Sequence, residues 1–151
     1  YYKGKTLYPF GYGLSYTDIE YKNAVIDKLE GSIGDSFSVS VDVTNKGDYK
    51  VHEGVQLYVK DVEASTRVPN WQLRGLENIC LEPGETKTVS MQLSLRDFAI
   101  ITENGKCVVE PGAFRITIGG QQPDERSTEL TGKKTACFDI VLNGEVTEVE
   151  Y

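Results

Sequence analysis

Long apolar runs are missing from this sequence of 151 residues, and no segment approaches the about 18 apolar residues of a membrane-spanning helix. Concentrated positive charge is missing too. The net charge is −7, the basic residues are scattered, and Lys133-Lys134 is the longest basic run. Proteins that bind nucleic acid or anionic membranes use clustered basic side chains against the phosphates. We therefore expect neither nucleic acid nor membrane as a partner.

Residues that carry catalytic or metal chemistry are scarce. His52 is the single histidine, and the three cysteines, Cys80, Cys107 and Cys137, show no C-x-x-C spacing. Nucleophilic catalysis of the Ser–His or Cys–His type needs a histidine base, and a structural zinc site needs four ligands. We predict no catalytic, metal-binding or cofactor-binding residue. The cysteines are compatible with three thiols or with one disulfide and one thiol.

The acidic residues are numerous, but their positions do not favour catalysis. Glycosidases use two facing carboxylates. Glu82 and Glu85 flank one turn signal, and Glu103 and Glu110 flank a short hairpin signal. Acids in turns are normally solvated, so the sequence predicts that this chain alone is not an enzyme.

Two-residue alternation of apolar and polar side chains dominates the chain. Such alternation places one apolar row and one polar row on opposite faces of a strand. It predicts strands near 18–29, 36–45, 52–62, 72–82, 86–95, 113–119 and 134–142, with a short hairpin near 99–109. Many short strands separated by turns indicate an all-β fold, an antiparallel β-sandwich of about seven strands.

The chain divides into three predicted parts. Residues 1–17 are rich in Gly and Tyr and are interpreted as a linker or docking arm, residues 18–143 as the sandwich, and residues 144–151 as a C-terminal tail. Residues 120–133 are predicted to form a polar loop. We find no convincing amphipathic helix, although 94–98 favours a single helical turn.

Aromatic side chains suggest two kinds of contact. Tyr8, Phe10, Tyr12 and Tyr16 crowd the N-terminal arm, which favours packing or a contact between domains. Flat aromatic faces also stack on sugar rings. The candidates for that role are Trp71, in a predicted loop, and Tyr58, on the polar side of its predicted strand.

Several segments, taken in order, resemble one known family. Residues 7–17 (LYPFGYGLSYT) resemble the Y-P-F-G-x-G-L-S-Y-T signature of family 3 glycoside hydrolases. The later segments resemble motifs of the C-terminal fibronectin type III-like (immunoglobulin-like) domain of these enzymes. They are VTNKG at 43–47, EGVQLYV at 53–59, LRGL at 73–76, LEPGET at 81–86 and VEPGAF at 109–114 followed by Gly119-Gly120.

The resemblance implies a function for the parent protein and a supporting role for this chain. The family's nucleophile is an Asp in a Ser-Asp-Trp context, and its acid/base is typically a Glu; both belong to other domains, and this sequence has no Ser-Asp-Trp. The implied parent is a retaining, exo-acting β-glucosidase or β-xylosidase that needs no cofactor. The implied role here is a non-catalytic structural domain packed on the catalytic domains of the same chain.

Two other roles stay open, as does the cellular compartment. The domain could be a carbohydrate-binding accessory module for a poly- or oligosaccharide, or an adhesion or protein-interaction sandwich. Residues 1–5 contain no initiator Met and no apolar signal-peptide core, and we interpret them as a fragment boundary. A secreted or periplasmic parent is our expectation.

Overall fold

The computed structural model describes residues 7–9, 12 and 17–150. Eleven strands, one short α-helix and one 3-10 turn make up its regular structure. The strands are β1 (Ile19–Ile26), β2 (Glu30–Ser32), β3 (Phe37–Asn45), β4 (Val51–Asp61), β5 (Gln72–Leu81), β6 (Thr86–Leu93), β7 (Ile100–Ile101), β8 (Cys107–Val109), β9 (Gly112–Gly119), β10 (Ala136–Asn143) and β11 (Thr147–Glu148). The helix is α1 (Glu125–Thr131), and the 3-10 turn is Leu95–Phe98.

Two sheets enclose the core. One has the order β1-β3-β6 and the other β2-β10-β9-β4-β5, and a single cluster of buried apolar residues draws on both. All strand pairs are antiparallel except β2 with β10, which is parallel. A small third sheet has the order β11-β8-β7. The predicted all-β sandwich is confirmed.

The alternating rows explain the core. In β3, Phe37, Val39, Val41 and Val43 are at most 1% exposed, while the intervening residues are half-buried. Because successive strand side chains point to opposite faces, this single row fills the space between the sheets. Burial of such rows is the main favourable contribution to folding.

Three phenylalanines close one part of the core. Phe98, from the 3-10 turn, makes edge-to-face contacts with Phe37 at 5.6 Å and with Phe114 at 5.2 Å between ring centroids. The turn is fixed at its start, where the Ser94 amide donates to Asp97 at 2.6 Å. The helical turn predicted at 94–98 is confirmed.

Two local predictions were wrong or incomplete. Residues 120–133 do not form a polar loop throughout, because α1 lies within them. The Asp124 side chain accepts a hydrogen bond from the Ser127 amide and so caps the first turn of this helix. The predicted tail also contains structure, since β11 pairs with β8.

Two further observations concern membrane-spanning helices and the state of the cysteines. No helix in the described ranges is long and apolar enough to cross a membrane. Cys80 and Cys107 are half-buried, Cys137 is exposed, and all three are free thiols.

The aromatic cluster yields a stability prediction. Phe98→Ala removes a ring that is 2% exposed and both of its aromatic contacts, so it should lower the free energy of unfolding by about 3–5 kcal/mol. Val25→Ala, at a side chain that is 55% exposed, is the control and should change it by less than about 0.5 kcal/mol. Urea denaturation of the 151-residue chain measures both. Equal midpoints for the two variants would contradict this account of the core.

Candidate functional site

Asn45 fixes the end of the arm to the sandwich. Its side-chain oxygen accepts hydrogen bonds from the Thr17 hydroxyl at 2.6 Å and from the Gly47 amide at 3.0 Å. Its side-chain nitrogen donates to the carbonyls of Tyr49 at 2.7 Å and Leu81 at 3.3 Å. Asn45 is fully buried, and each polar atom of its amide has two partners. The arm, the β3–β4 turn and the end of β5 are therefore held by one side chain.

Gly47 permits this arrangement by having no side chain. A Cβ atom at position 47 would lie 1.8 Å from the Thr17 hydroxyl oxygen and 3.1 Å from the Thr17 Cα atom. Next to it, the Lys46 amide donates to the Asp18 carbonyl at 2.8 Å. The VTNKG motif at 43–47 thus has a direct physical reason, which is the close passage of the arm.

A cleft of about 530 Å³ opens beside this anchor, and we call it the arm cleft. Its walls come from separate parts of the chain. They are the arm at Tyr12 and Thr17, the start of β1, residues 49–53 at the start of β4, residues 119–121 after β9, and residues 127–135 from α1 to the approach of β10. The site is therefore formed only when the whole sandwich has folded.

Glu53 and Tyr21 form a hydrogen-bonded pair in the wall of the arm cleft. The Tyr21 hydroxyl donates to Glu53 Oε1 at 2.7 Å. Burial raises the pKa of Glu53, and the hydrogen bond from Tyr21 and the charge of Lys133 only partly offset this effect. Burial also raises the pKa of Tyr21, and the neighbouring Glu53 charge raises it further. The pair is thus a tyrosine hydroxyl bound to a carboxyl group whose charged form is disfavoured by its surroundings.

The backbone leaves room for this pair at Gly120. A Cβ atom there would lie 2.5 Å from Glu53 Oε1 and 2.8 Å from the Tyr21 hydroxyl oxygen. Any other residue at position 120 would force the pair apart. Gly119, the last residue of β9, and Gly120, which follows it, therefore both help to form the wall of the arm cleft.

Lys133 links the α1 side of the cleft to the start of β1. Its ammonium group donates to Asp18 Oδ1 and to the Ile19 carbonyl, both at 2.6 Å. The Lys133 hydrogen bond and charge lower the pKa of Asp18. On the backbone side, the Lys133 carbonyl accepts from Gln121 Nε2 at 2.8 Å. Three polar contacts of Lys133 thus stabilise the wall, and the one with Asp18 is exposed to solvent.

The predicted arm residues are described only in part. Tyr8 and Tyr12 stack with centroids 5.4 Å apart and planes at 12°, and Tyr8 is 64% exposed. Phe10 and Tyr16 lie outside the described residues. The two described rings therefore form one stacked aromatic surface at the arm cleft, of which Tyr8 is exposed and Tyr12 is half-buried.

The two candidates for sugar stacking differ from expectation. Tyr58 lies on the polar side of its strand beside Gln56, as expected, but it is only 4% exposed, so its ring offers no open face for a sugar. Its hydroxyl donates to Gln56 Oε1 at 2.7 Å, and Gln56 Nε2 in turn donates to the Gly120 carbonyl at 3.4 Å. The segment after β9 thus covers the outer face of β4. Trp71 is half-buried, with the Lys60 ammonium 5.5 Å from its ring centroid.

Sequence reasoning missed Glu53 and Tyr21, although a signal for Glu53 was present. Glu53 stands in phase with Val55, Leu57 and Val59, the inward row of β4. A charged residue in phase with an apolar row is expected at the margin of a core or at a site.

The arm cleft does not have the composition of a hydrolytic site. Among the described residues that line it, Glu53 is the one carboxylate, whereas a glycosidase needs two. The described ranges also contain no group of three or more His, Cys, Asp or Glu side chains arranged to hold a metal ion. The geometry of the cleft is suited to contacting another part of a protein and holding it in position.

The arm anchor yields a second stability prediction. Gly47→Ala should lower the free energy of unfolding by about 1–3 kcal/mol, because the new methyl group overlaps Thr17. Gly54→Ala is a matched control, since its Cβ would meet no atom closer than 3.5 Å. Both variants are compared by urea denaturation. If Gly54→Ala costs as much as Gly47→Ala, close passage of the arm is not the reason for the glycine.

The pair in the cleft yields a pH prediction. The folded state raises the pKa of Glu53 above its ordinary 4.5, so the charged side chain costs stability at neutral pH. Glu53→Gln removes that cost and should give the 151-residue chain a higher urea midpoint at pH 7. The advantage should shrink as pH falls through the raised folded pKa and vanish below 4.5, where Glu53 is protonated in both states. An advantage that is independent of pH would contradict this electrostatic origin.

Comparisons with known proteins agree with this geometry. The family model of the fibronectin type III-like domain matches residues 53–122. The chain is 41% identical over 129 residues to a β-xylosidase of Formosa agariphila, covering 84% of this chain and 18% of that protein. It is 46% identical over 119 residues to thermostable β-glucosidase B of Acetivibrio thermocellus, covering 78% of this chain and 16% of that protein.

A solved structure gives the same result. The β-glucosidase of Listeria innocua in complex with glucose superimposes with a TM-score of 0.79 at 31% identity, covering 93% of this chain and 18% of that one. This chain thus spans less than a fifth of the length of each of these three relatives. It is a fibronectin type III-like domain of the kind that family 3 glycoside hydrolases carry.

Proposed function

We propose that this domain is the non-catalytic C-terminal structural part of a longer family 3 glycoside hydrolase, in which it packs on the catalytic domains. The parent would be a retaining, exo-acting β-glucosidase or β-xylosidase acting on oligo- or polysaccharides. The names of the relatives support this parent, because they are β-xylosidases and β-glucosidases that devote less than a fifth of their length to such a domain.

The observation that carries the proposal is the partly exposed aromatic surface at the arm cleft. Tyr8 and Tyr12 stack on each other, yet Tyr8 remains 64% exposed in the isolated domain. Aromatic rings dominate the energetics of buried contacts. Domain interfaces within one chain commonly bury about 600–1,500 Å². We propose that Tyr8, Phe10, Tyr12 and Tyr16 contribute to such an interface with the catalytic domains.

The catalytic residues would come from outside this chain. The arm cleft has one carboxylate among its described lining residues, and its partner is a tyrosine hydroxyl. The domain would therefore act by stabilising and positioning the enzyme's other domains.

Binding of a polysaccharide is the weaker alternative. A platform for sugar needs several open, coplanar rings. Tyr58 is buried, and the Lys60 ammonium lies over the Trp71 ring. Among the described residues, Tyr8 and Tyr12 are the one pair of aromatic rings that stack flat on each other, and the other aromatic contacts are edge-to-face. That pair lies beside the arm cleft, where we propose a protein contact.

The proposal is tested by one substitution in two contexts. In the 151-residue chain, the double variant Tyr8→Ala, Tyr12→Ala should lower the melting temperature only slightly, since Tyr8 is exposed and Tyr12 is half-buried. In the full-length enzyme it should lower the apparent melting temperature by roughly 4 °C or more, because the rings are buried there. Calorimetry at a fixed scan rate measures both.

Trp71→Ala serves as the control, because Trp71 is not among the residues that line the arm cleft. It should have the same effect in the short chain and in the full-length enzyme. An unchanged melting temperature of the full-length double variant would overturn the proposed packing role of the arm.

A further inference from the structure

Glu53 has unused capacity to accept hydrogen bonds. The described residues give it one hydrogen bond, from Tyr21 to Oε1, and none of their salt bridges includes it. An ionised carboxylate can accept about four hydrogen bonds. Buried charges are normally paired because removing them from water is costly. Glu53 is half-buried, and its second oxygen has no hydrogen-bond partner among the described residues, so it is open to a group that enters the arm cleft.

Two of the three lysines that line the cleft are engaged elsewhere. The Lys133 ammonium is held by Asp18 and by the Ile19 carbonyl, both at 2.6 Å. Lys50, also in the cleft wall, is held by Glu82 at 2.6 Å. Lys134 lines the cleft but is exposed to solvent. The domain thus provides long-range attraction to Glu53 but no direct ion pair.

A second polar group of the cleft is also incomplete. Ser127 is 1% exposed and lines the arm cleft, and its hydroxyl oxygen has no hydrogen-bond partner among the described residues. A buried hydroxyl without a partner loses the hydrogen bonds it would make to water, which costs free energy. Two separate elements, β4 and α1, therefore present polar groups to this cleft whose bonding is unfinished.

These groups are held in place by the fold. Gly120 approaches so closely that any Cβ would collide with both Glu53 and Tyr21. The Ser127 amide is fixed by Asp124 in the helix cap. The cleft, at about 530 Å³, has room for inserted side chains. A rigid, partly unsatisfied and roomy site is suited to receive a group of fixed chemistry.

We propose that the arm cleft receives an arginine or lysine side chain from the catalytic part of the same polypeptide, and that this side chain forms an ion pair with Glu53. The inference rests on the proposed function. Charge complementarity favours a cation, because a neutral sugar hydroxyl would leave the carboxylate charge uncompensated. Continuity favours the same polypeptide, because Tyr12 and Thr17 of the arm form part of the cleft wall.

The test compares Glu53→Gln with Glu77→Gln in the full-length enzyme and in the 151-residue chain. Glu77 is an exposed residue of β5 that does not line the cleft, and it provides the matched control. In the full-length enzyme, Glu53→Gln should lower the apparent melting temperature by about 4 °C or more, since it leaves the inserted cation unpaired. In the short chain, the same change should raise the melting temperature. Glu77→Gln should have no effect in either.

A Glu53→Gln variant that raises or preserves the melting temperature of the full-length enzyme overturns the ion pair. If the tyrosine double variant still destabilises that enzyme, the packing role stands without it. If Glu53→Gln does lower the melting temperature of the full-length enzyme, the partner is sought by changing each arginine and lysine of the catalytic part to Gln, with Glu53 and with Gln at position 53. One position must show non-additive effects with Glu53, and additivity at all of them also overturns the proposal.

A sugar in the cleft would show itself differently. Titration of the 151-residue chain with glucose and with xylose, followed by isothermal calorimetry, should give no binding. Binding of either sugar that is lost in Glu53→Gln would overturn the proposal in favour of a saccharide site.

Discussion

The side-chain amide of Asn45 is the interaction on which the functional end of this domain depends. It is buried and bonded to the arm, to the following turn and to the end of β5. A buried amide with all of these bonds made specifies one geometry, because losing any of them leaves a costly unpaired group. The position of Thr17, the last residue of the arm, follows from it.

The remaining features of this end follow from close packing around that junction. Gly47 lets the arm pass, and Gly120 leaves space for the Glu53–Tyr21 pair. Sequence segments that are far apart in the chain therefore meet at one cleft. This explains why the motifs of the family resemblance, which look unrelated along the sequence, form one structural unit. A domain without catalytic residues can thus carry specific residues at an interface.

The sequence predicted the sandwich well because two-residue alternation reports directly on burial. The rows of β3 and β9 reach the core as their patterns indicate. Tyr58 was misjudged because its strand is central and covered on its outer face by the segment after β9, which no local pattern reveals. The helix α1 was missed because its seven residues are stabilised by the Asp124 cap and by tertiary contacts more than by an apolar stripe. The Glu53–Tyr21 pair joins residues 32 positions apart, and only the folded chain brings them together.

The central claim is that the arm cleft is covered by the rest of the enzyme, and amide hydrogen exchange tests it most directly. The 151-residue chain and the full-length protein are compared at the same pH and temperature. The account predicts that amides of residues 49–53 and 119–122 exchange at least about tenfold more slowly in the full-length protein, while those near Glu145, in the exposed connection between β10 and β11, exchange equally. Equal exchange at the cleft in both proteins would contradict the claim.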